Sequence, residues 1–122
     1  MKRLTKAEEE VMHKIWEYGP STVSNLISKM ENPRPPHSTI SSIVRILERK
    51  GFVSHNTYGR THEYYSIIDK DSYSKFSIKS LVSGYFEGSM NNLVSFLVKE
   101  DDLSIQDLSS LMKKLEDKSK HE

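Results

Sequence analysis

The sequence predicts a mainly α fold with one small β wing, and three observations predict it. Amphipathic runs punctuated by proline and glycine fill residues 4–50. One stretch, residues 52–68, drops the helical pattern for β-branched and aromatic residues arranged around Gly59-Arg60. The helical pattern then resumes and continues to Leu115. The order helix, helix, helix, hairpin is that of a winged helix-turn-helix domain. It is assigned to residues 1–70, with three further helices over residues 71–122.

Each element has a local cause. In Leu4-Thr5-Lys6-Ala7-Glu8 the Thr5 hydroxyl and the Glu8 carboxylate can satisfy each other's free backbone N–H groups, a capping box. Ala7, Val11, Ile15 and Trp16 then recur at helical spacing, and Gly19-Pro20 ends the run. Ser21 or Thr22 caps a second helix, with Val23, Leu26, Ile27 and Met30 on one face. Asn32-Pro33-Arg34-Pro35-Pro36 stops it in a stiff connector. The third helix, about residues 38–50, buries Ile40, Ile43, Val44 and Leu47, and Gly51 supplies a left-handed C-cap. Thr61 to Ile68 alternates, with His62, Tyr64, Ser66 and Ile68 on one side and Glu63, Tyr65 and Ile67 on the other.

The last three helices begin at Asp69 to Ser72, at Ser89 after Gly88, and at Ser104 after Asp101-Asp102. Their stripes include Tyr73 and Phe76, then Leu93, Val94 and Leu97, then Leu108, Leu111 and Leu115. Short striped helices must cover their apolar faces, at roughly 25 cal/mol per Å² of area. A second copy of the segment is the simplest cover, because closed two-fold dimers are the commonest oligomers. Folding back on residues 1–70 is the alternative. On the first reading these eight residues form a dimerisation surface.

Composition narrows the function. With 35% hydrophobic and 29% charged residues the chain reads as globular, and no apolar run nears the roughly 18–20 residues of a membrane span. The start, MKRLTKAEEE, turns acidic at once and does not read as a signal peptide. The absence of cysteine excludes disulfides, thiolate catalysis and thiolate metal sites. These features favour the cytoplasm. The formal net charge of +1 hides an asymmetry: residues 1–70 hold eleven Lys/Arg against eight Asp/Glu, and residues 71–122 hold seven against nine. Between Asn32 and His62 there are five cations and one anion. Such a stretch is either a solvated face or a surface for a polyanion.

The third helix favours the polyanion. At about 100° per residue, Ser38, Ser42, Arg45 and Arg49 point opposite the core stripe. A helix so equipped suits the DNA major groove, with Ser38, Thr39, Ser41 and Ser42 as short donors and acceptors that permit close approach. Arg45 fits a guanine pair or a phosphate clamp. Arg49 and Lys50 fit the backbone, and Arg60, Thr61 and His62 sit at the wing tip. Ile46, beside this face, either packs or touches a thymine methyl. His55 and His62 lie on opposite arms of the hairpin and read as wing histidines, since two ligands make no metal site. No phosphate loop, HExxH or nucleophile motif appears. The reading is therefore non-enzymatic, without cofactor or metal. A winged-helix module for protein–protein contact is the rival; it would carry apolar anchors on this face.

Over about residues 4–115 the chain resembles the penicillinase-repressor family (BlaI/MecI type) of bacterial transcriptional regulators. Residues 7–16, AEEEVMHKIW, look like that family's first helix, Thr39-Ile40 through Phe52 like its recognition helix and exit, and Glu63-Tyr64-Tyr65-Ser66 like its wing strand. Leu93-Val94, Phe96 and Leu103-Ser104 are similar to its helical dimerisation segment. The resemblance implies a homodimeric repressor on a palindromic double-stranded DNA operator. It also implies release by a regulatory protease, at a position matching Phe96-Leu97, although the family's Asn-Phe pair is absent there. Relatives often carry basic residues where this chain has Ser38, Ser41 and Ile46, which implies a different operator sequence.

Overall fold

A computed structural model describes residues 1–100 together with 104, 106, 107, 109, 110 and 113. Helices α1 (Lys6–Tyr18), α2 (Val23–Ser28) and α3 (His37–Arg49) precede strands β1 (Val53–Tyr58) and β2 (Thr61–Ser66). Helices α4 (Lys70–Tyr85) and α5 (Met90–Lys99) follow. Two compact units divide the chain, one from Met1 to Ser77 and one beginning at Ile78. Among the described residues no helix is long and apolar enough to cross a membrane.

The first unit is built as the caps dictate. The Thr5 hydroxyl accepts from the Glu8 amide at 3.2 Å and Glu8 Oε1 accepts from the Thr5 amide at 3.1 Å. Thr22, not Ser21, caps α2, with Asn25 returning the bond. Proline fixes the backbone ahead of α3, and Gly51, at φ +84°, turns the chain out of it, a conformation that L side chains rarely adopt. Strands β1 and β2 pair antiparallel in a register of Val53 with Ser66 and Tyr58 with Thr61. Ser21 adds a bridge to β2: its amide donates to Tyr64 O at 2.9 Å and its carbonyl accepts from Tyr64 N at 2.8 Å. The hairpin is thereby tied to the loop ahead of α2. This is a helix-turn-helix with one β wing.

The core joins Leu4, Val11, Met12, Ile15, Leu26, Ile40, Val44, Leu47, Phe52 and Val53 with Tyr64 and Tyr73. Two details differ from the expected stripe of α1. Ala7 is exposed, whereas Met12 and Glu8 are buried. Glu8 stays ionised there because Lys50 Nζ donates to its Oε1 at 2.5 Å. Burial alone pushes the Glu8 carboxyl up. The Lys50 ammonium and the Thr5 amide and hydroxyl outweigh it and hold the group below its ordinary value of 4.5. The folded pKa is thus lower than the unfolded one. The pair stabilises fully above the unfolded value, and its contribution fades as pH falls through the folded value. Glu8→Gln is expected to lose about 1–2 kcal/mol at neutral pH. Denaturant titrations of the two proteins are expected to converge as pH falls through the lowered folded value of Glu8; a gap that stays constant across the acid range would contradict the assignment.

Trp16 closes the unit, its indole N–H donating to Ile68 O at 2.9 Å and to Ser66 Oγ at 3.1 Å. Tyr73 and Phe76, expected at a dimer interface, pack within the chain on the core of the first unit. The Tyr73 ring packs edge-on to Phe52 with centroids 5.5 Å apart, its hydroxyl accepts from the Leu4 amide, and Phe76 packs on the same core. An apolar stripe on a helix demands cover, and here the first unit supplies it.

In the second unit Val82 is buried, while Leu93, Val94 and Leu97 are half-buried and Ile78, Leu81, Tyr85, Met90 and Phe96 are exposed. Ser89 caps α5, and α5 has no fully buried residue. Ser104 and Asp107 exchange side-chain bonds to each other's amides, the signature of a further helix start. Leu108, Leu111 and Leu115 lie outside the described residues.

Candidate nucleic-acid interface

Helix α3 presents one face to the core and the other to solvent. Ser38, Thr39, Ser42, Arg45 and Arg49 are exposed, and Ser41 and Ile46 are half-buried at either edge. Arg60, Thr61 and His62 are exposed on the hairpin. Between helix and hairpin lies an open cleft of about 320 Å³. Its walls are His37, Ser41 and Arg45 from α3, Arg60, Thr61, His62 and Tyr64 from the hairpin, and Thr22, Val23 and Ser24 at the start of α2. Among the described residues no carboxylate lines it.

The cleft therefore gathers five of the ten residues expected to face DNA: Ser41, Arg45, Arg60, Thr61 and His62. Ser38, Thr39, Ser42 and Arg49 stay on the outer side of α3. Lys50 is engaged differently. Its ammonium is held by Glu8 and by Arg3 O at 3.3 Å, so it serves the α1–α3 contact. Thr22, Val23, Ser24, His37 and Tyr64 also line the cleft, and the pattern did not single them out. The capping signal at Ser21-Thr22 marks the segment that brings Thr22, Val23 and Ser24 in, but only the Ser21–Tyr64 bridge carries that segment to the hairpin.

The hairpin is braced against α3. His55 Nδ1 bonds the Glu48 carboxylate. The His55 and His62 rings stack with centroids 4.2 Å and planes 8° apart. Rings in parallel planes do not converge their nitrogens on one ion, and among the described residues no three His, Asp or Glu side chains gather as a metal site. Tyr64, beside them, senses both charges of α3. Burial pushes its phenol up, the Glu48 carboxylate adds to that, and the Arg45 guanidinium opposes it.

Residues 4–117 match the profile of a family described as "Penicillinase repressor". The chain belongs to the penicillinase-repressor family. The family is one of repressors, not of enzymes. A curated relative, the methicillin resistance regulatory protein MecI of Mammaliicoccus sciuri, is 27% identical over 109 residues, covering 88% of this chain and 89% of the relative. A MarR family protein from Bacillus stearothermophilus has a similar structure, at a TM-score of 0.51 and 15% identity over 98% of this chain and 76% of that one. The solution structure of monomeric BlaI from Bacillus licheniformis, in complex with the blaP half-operator, matches at a TM-score of 0.48 and 29% identity. That match covers 59% of this chain and 89% of that one. In this penicillinase-repressor chain the winged-helix order carries a cleft lined by Arg45 and Arg60.

Proposed function

We propose that this chain is a homodimeric transcriptional repressor that lays α3 in the major groove of each half of a palindromic operator. The cation-lined, carboxylate-free cleft beside the hydroxyl-rich outer face of α3, in a member of a repressor family, carries the reading. A docking module for another protein needs apolar anchors on that face, where Ser38, Thr39, Ser42, Arg45 and Arg49 stand exposed instead. Dimerisation is supported by the second unit, whose α5 leaves Met90 and Phe96 exposed and buries no residue fully within one chain. Leu93, Val94 and Leu97, with Leu108, Leu111 and Leu115, are the residues proposed to meet the second copy.

Footprinting of the DNA upstream of the protein's own gene tests the reading. Two protected half-sites related by a dyad, one or more helical turns apart, are the expected result. Protection of one unpaired site, or of none, would refute the dimeric operator. A backbone-dominated contact also has a salt signature: log K is expected to fall with log salt by about 0.9 per neutralised phosphate. With about four phosphates per head the slope is steep, and a flat titration would point away from DNA. Release by a regulatory protease at Phe96-Leu97 is part of the proposal. Both residues lie within α5, so cleavage needs local opening of that helix. The cytoplasm, where the operator resides, is the proposed compartment.

A further inference from the structure

The polar and charged side chains of α3 do not share one direction. At about 100° per residue, His37, Ser41, Glu48 and Arg45 fall in one sector about 80° wide, on the flank of α3 turned to the hairpin. That placement is realised: His37, Ser41 and Arg45 line the cleft, and Glu48 reaches His55 on β1. Ser38, Arg49 and Ser42 cluster within about 40° on the ridge opposite the core stripe. Arg45 stands at the boundary of the two groups, about 40° from Arg49, and the cleft it lines groups it with Arg60 and His62.

The dimensions of DNA give this grouping a meaning. The major groove is about 12 Å wide, and a helix with its side chains is about 10–12 Å across. A helix that fills the groove turns its ridge to the base edges and its flanks to the two sugar-phosphate walls. A cleft between one flank and the hairpin lies against such a wall. This one has about the volume of ten water molecules, at about 30 Å³ each, which is room for one phosphodiester group and its hydration. Two guanidiniums and the hydroxyls of Ser41 and Thr61 offer it donors; among the described residues no carboxylate lines it, and Glu48 beside it is engaged by His55. The Glu48–His55 bond and the Ser21–Tyr64 bridge hold its two walls at a set spacing before any ligand arrives.

We propose that the cleft between α3 and the hairpin seats a single backbone phosphate of the duplex, clamped by Arg45 and Arg60, and that base reading falls to the ridge of Ser38, Ser42 and Arg49. The assignment rests on the operator reading above and deepens it: Arg45 sets affinity, and the ridge sets sequence.

The test uses two probes of equal length and composition, a duplex selected by the full-length protein from a randomised library and a scrambled version of it. Arg45→Ala, at an exposed position, is expected to weaken binding to both duplexes about tenfold. It is expected to lower the slope of log K against log salt by about 0.9, and to leave the ratio of the two affinities unchanged within about twofold. Arg45→Lys is expected to restore the slope, because a point charge suffices for a phosphate but not for a bidentate guanine contact. Arg49→Ala is expected to lower the ratio about tenfold. Collapse of the ratio in Arg45→Ala with an unchanged salt slope would overturn the assignment and make Arg45 a base reader. Unchanged affinity on both duplexes would overturn it as well. A library selection by the wild type that yields no preferred duplex would overturn the operator reading itself, and this assignment with it.

Discussion

A chain ending at residue 95 is expected to bind a palindromic operator at least a hundredfold more weakly than the full chain, while its affinity for an isolated half-site stays nearly the same. The first unit has its own core, from Leu4 to Tyr73, and all the cleft residues lie within it. Removing everything after residue 95 therefore leaves the proposed DNA contacts in place. What goes is the proposed link between two heads, through Leu97 of α5 and the leucines beyond it. A second head tethered by a dimer binds at an effective concentration that raises affinity by about 10²–10⁴ without any new contact. Titration of both chains on full and half sites by mobility shift separates the effects. Equal affinity of the two chains on the full site would show that the heads act alone, and would remove the C-terminal helices from the dimer.

Phe52→Ala is expected to be the most damaging single change in the first unit. The ring is fully buried and packs edge-on to Tyr73. Its amide donates to Leu47 O and its carbonyl accepts from Ile67 N, both at 2.9 Å. It thus stands where α3 passes into the hairpin. Truncating a buried phenylalanine costs about 3–5 kcal/mol. Small domains hold about 5–15 kcal/mol in total, so the loss is a large fraction of the stability. At about 4–8 °C per kcal/mol the melting temperature would fall on the order of 20 °C. Ile67→Ala, at an exposed position one strand away, is expected to stay within about 0.5 kcal/mol and serves as the control. Thermal melts followed by circular dichroism check both. A shift of only a few degrees for Phe52→Ala would mean that the core collapses around the gap.

Much of the first unit was legible because its signals are local. Thr5 with Glu8, Gly19-Pro20, the prolines before His37 and Gly51 each act within one turn of the chain, and each acts in the structure where the pattern puts it. Glu8 shows where locality ends. In sequence the capping box singles it out as the partner of Thr5, but nothing nearby marks it as the one of three glutamates to be buried. Its burial depends on Lys50, 42 residues away. The same pairing takes Lys50 out of the cations facing outward. Tyr73 and Phe76 teach a related lesson, since periodicity reveals an apolar face but not which neighbour covers it. The cleft was half legible: charge identified Arg45, Arg60 and His62. Thr22 and Ser24 join them only through the bridge from Ser21 to Tyr64, and His37 joins from the first turn of α3, on the flank of Ser41 and Arg45.

Trp16 is the only tryptophan in the chain, and it lies half-buried with its indole N–H bonded to Ile68 O and Ser66 Oγ. It also sits against His13 and Tyr73. All of these partners belong to the first unit. Light that excites indole alone therefore interrogates one end of this protein selectively. Its emission follows the closure of the hairpin exit and of the first turn of α4 onto α1. Paired with a signal from total helix content, it gives a built-in optical means of telling whether the two units melt together or in turn.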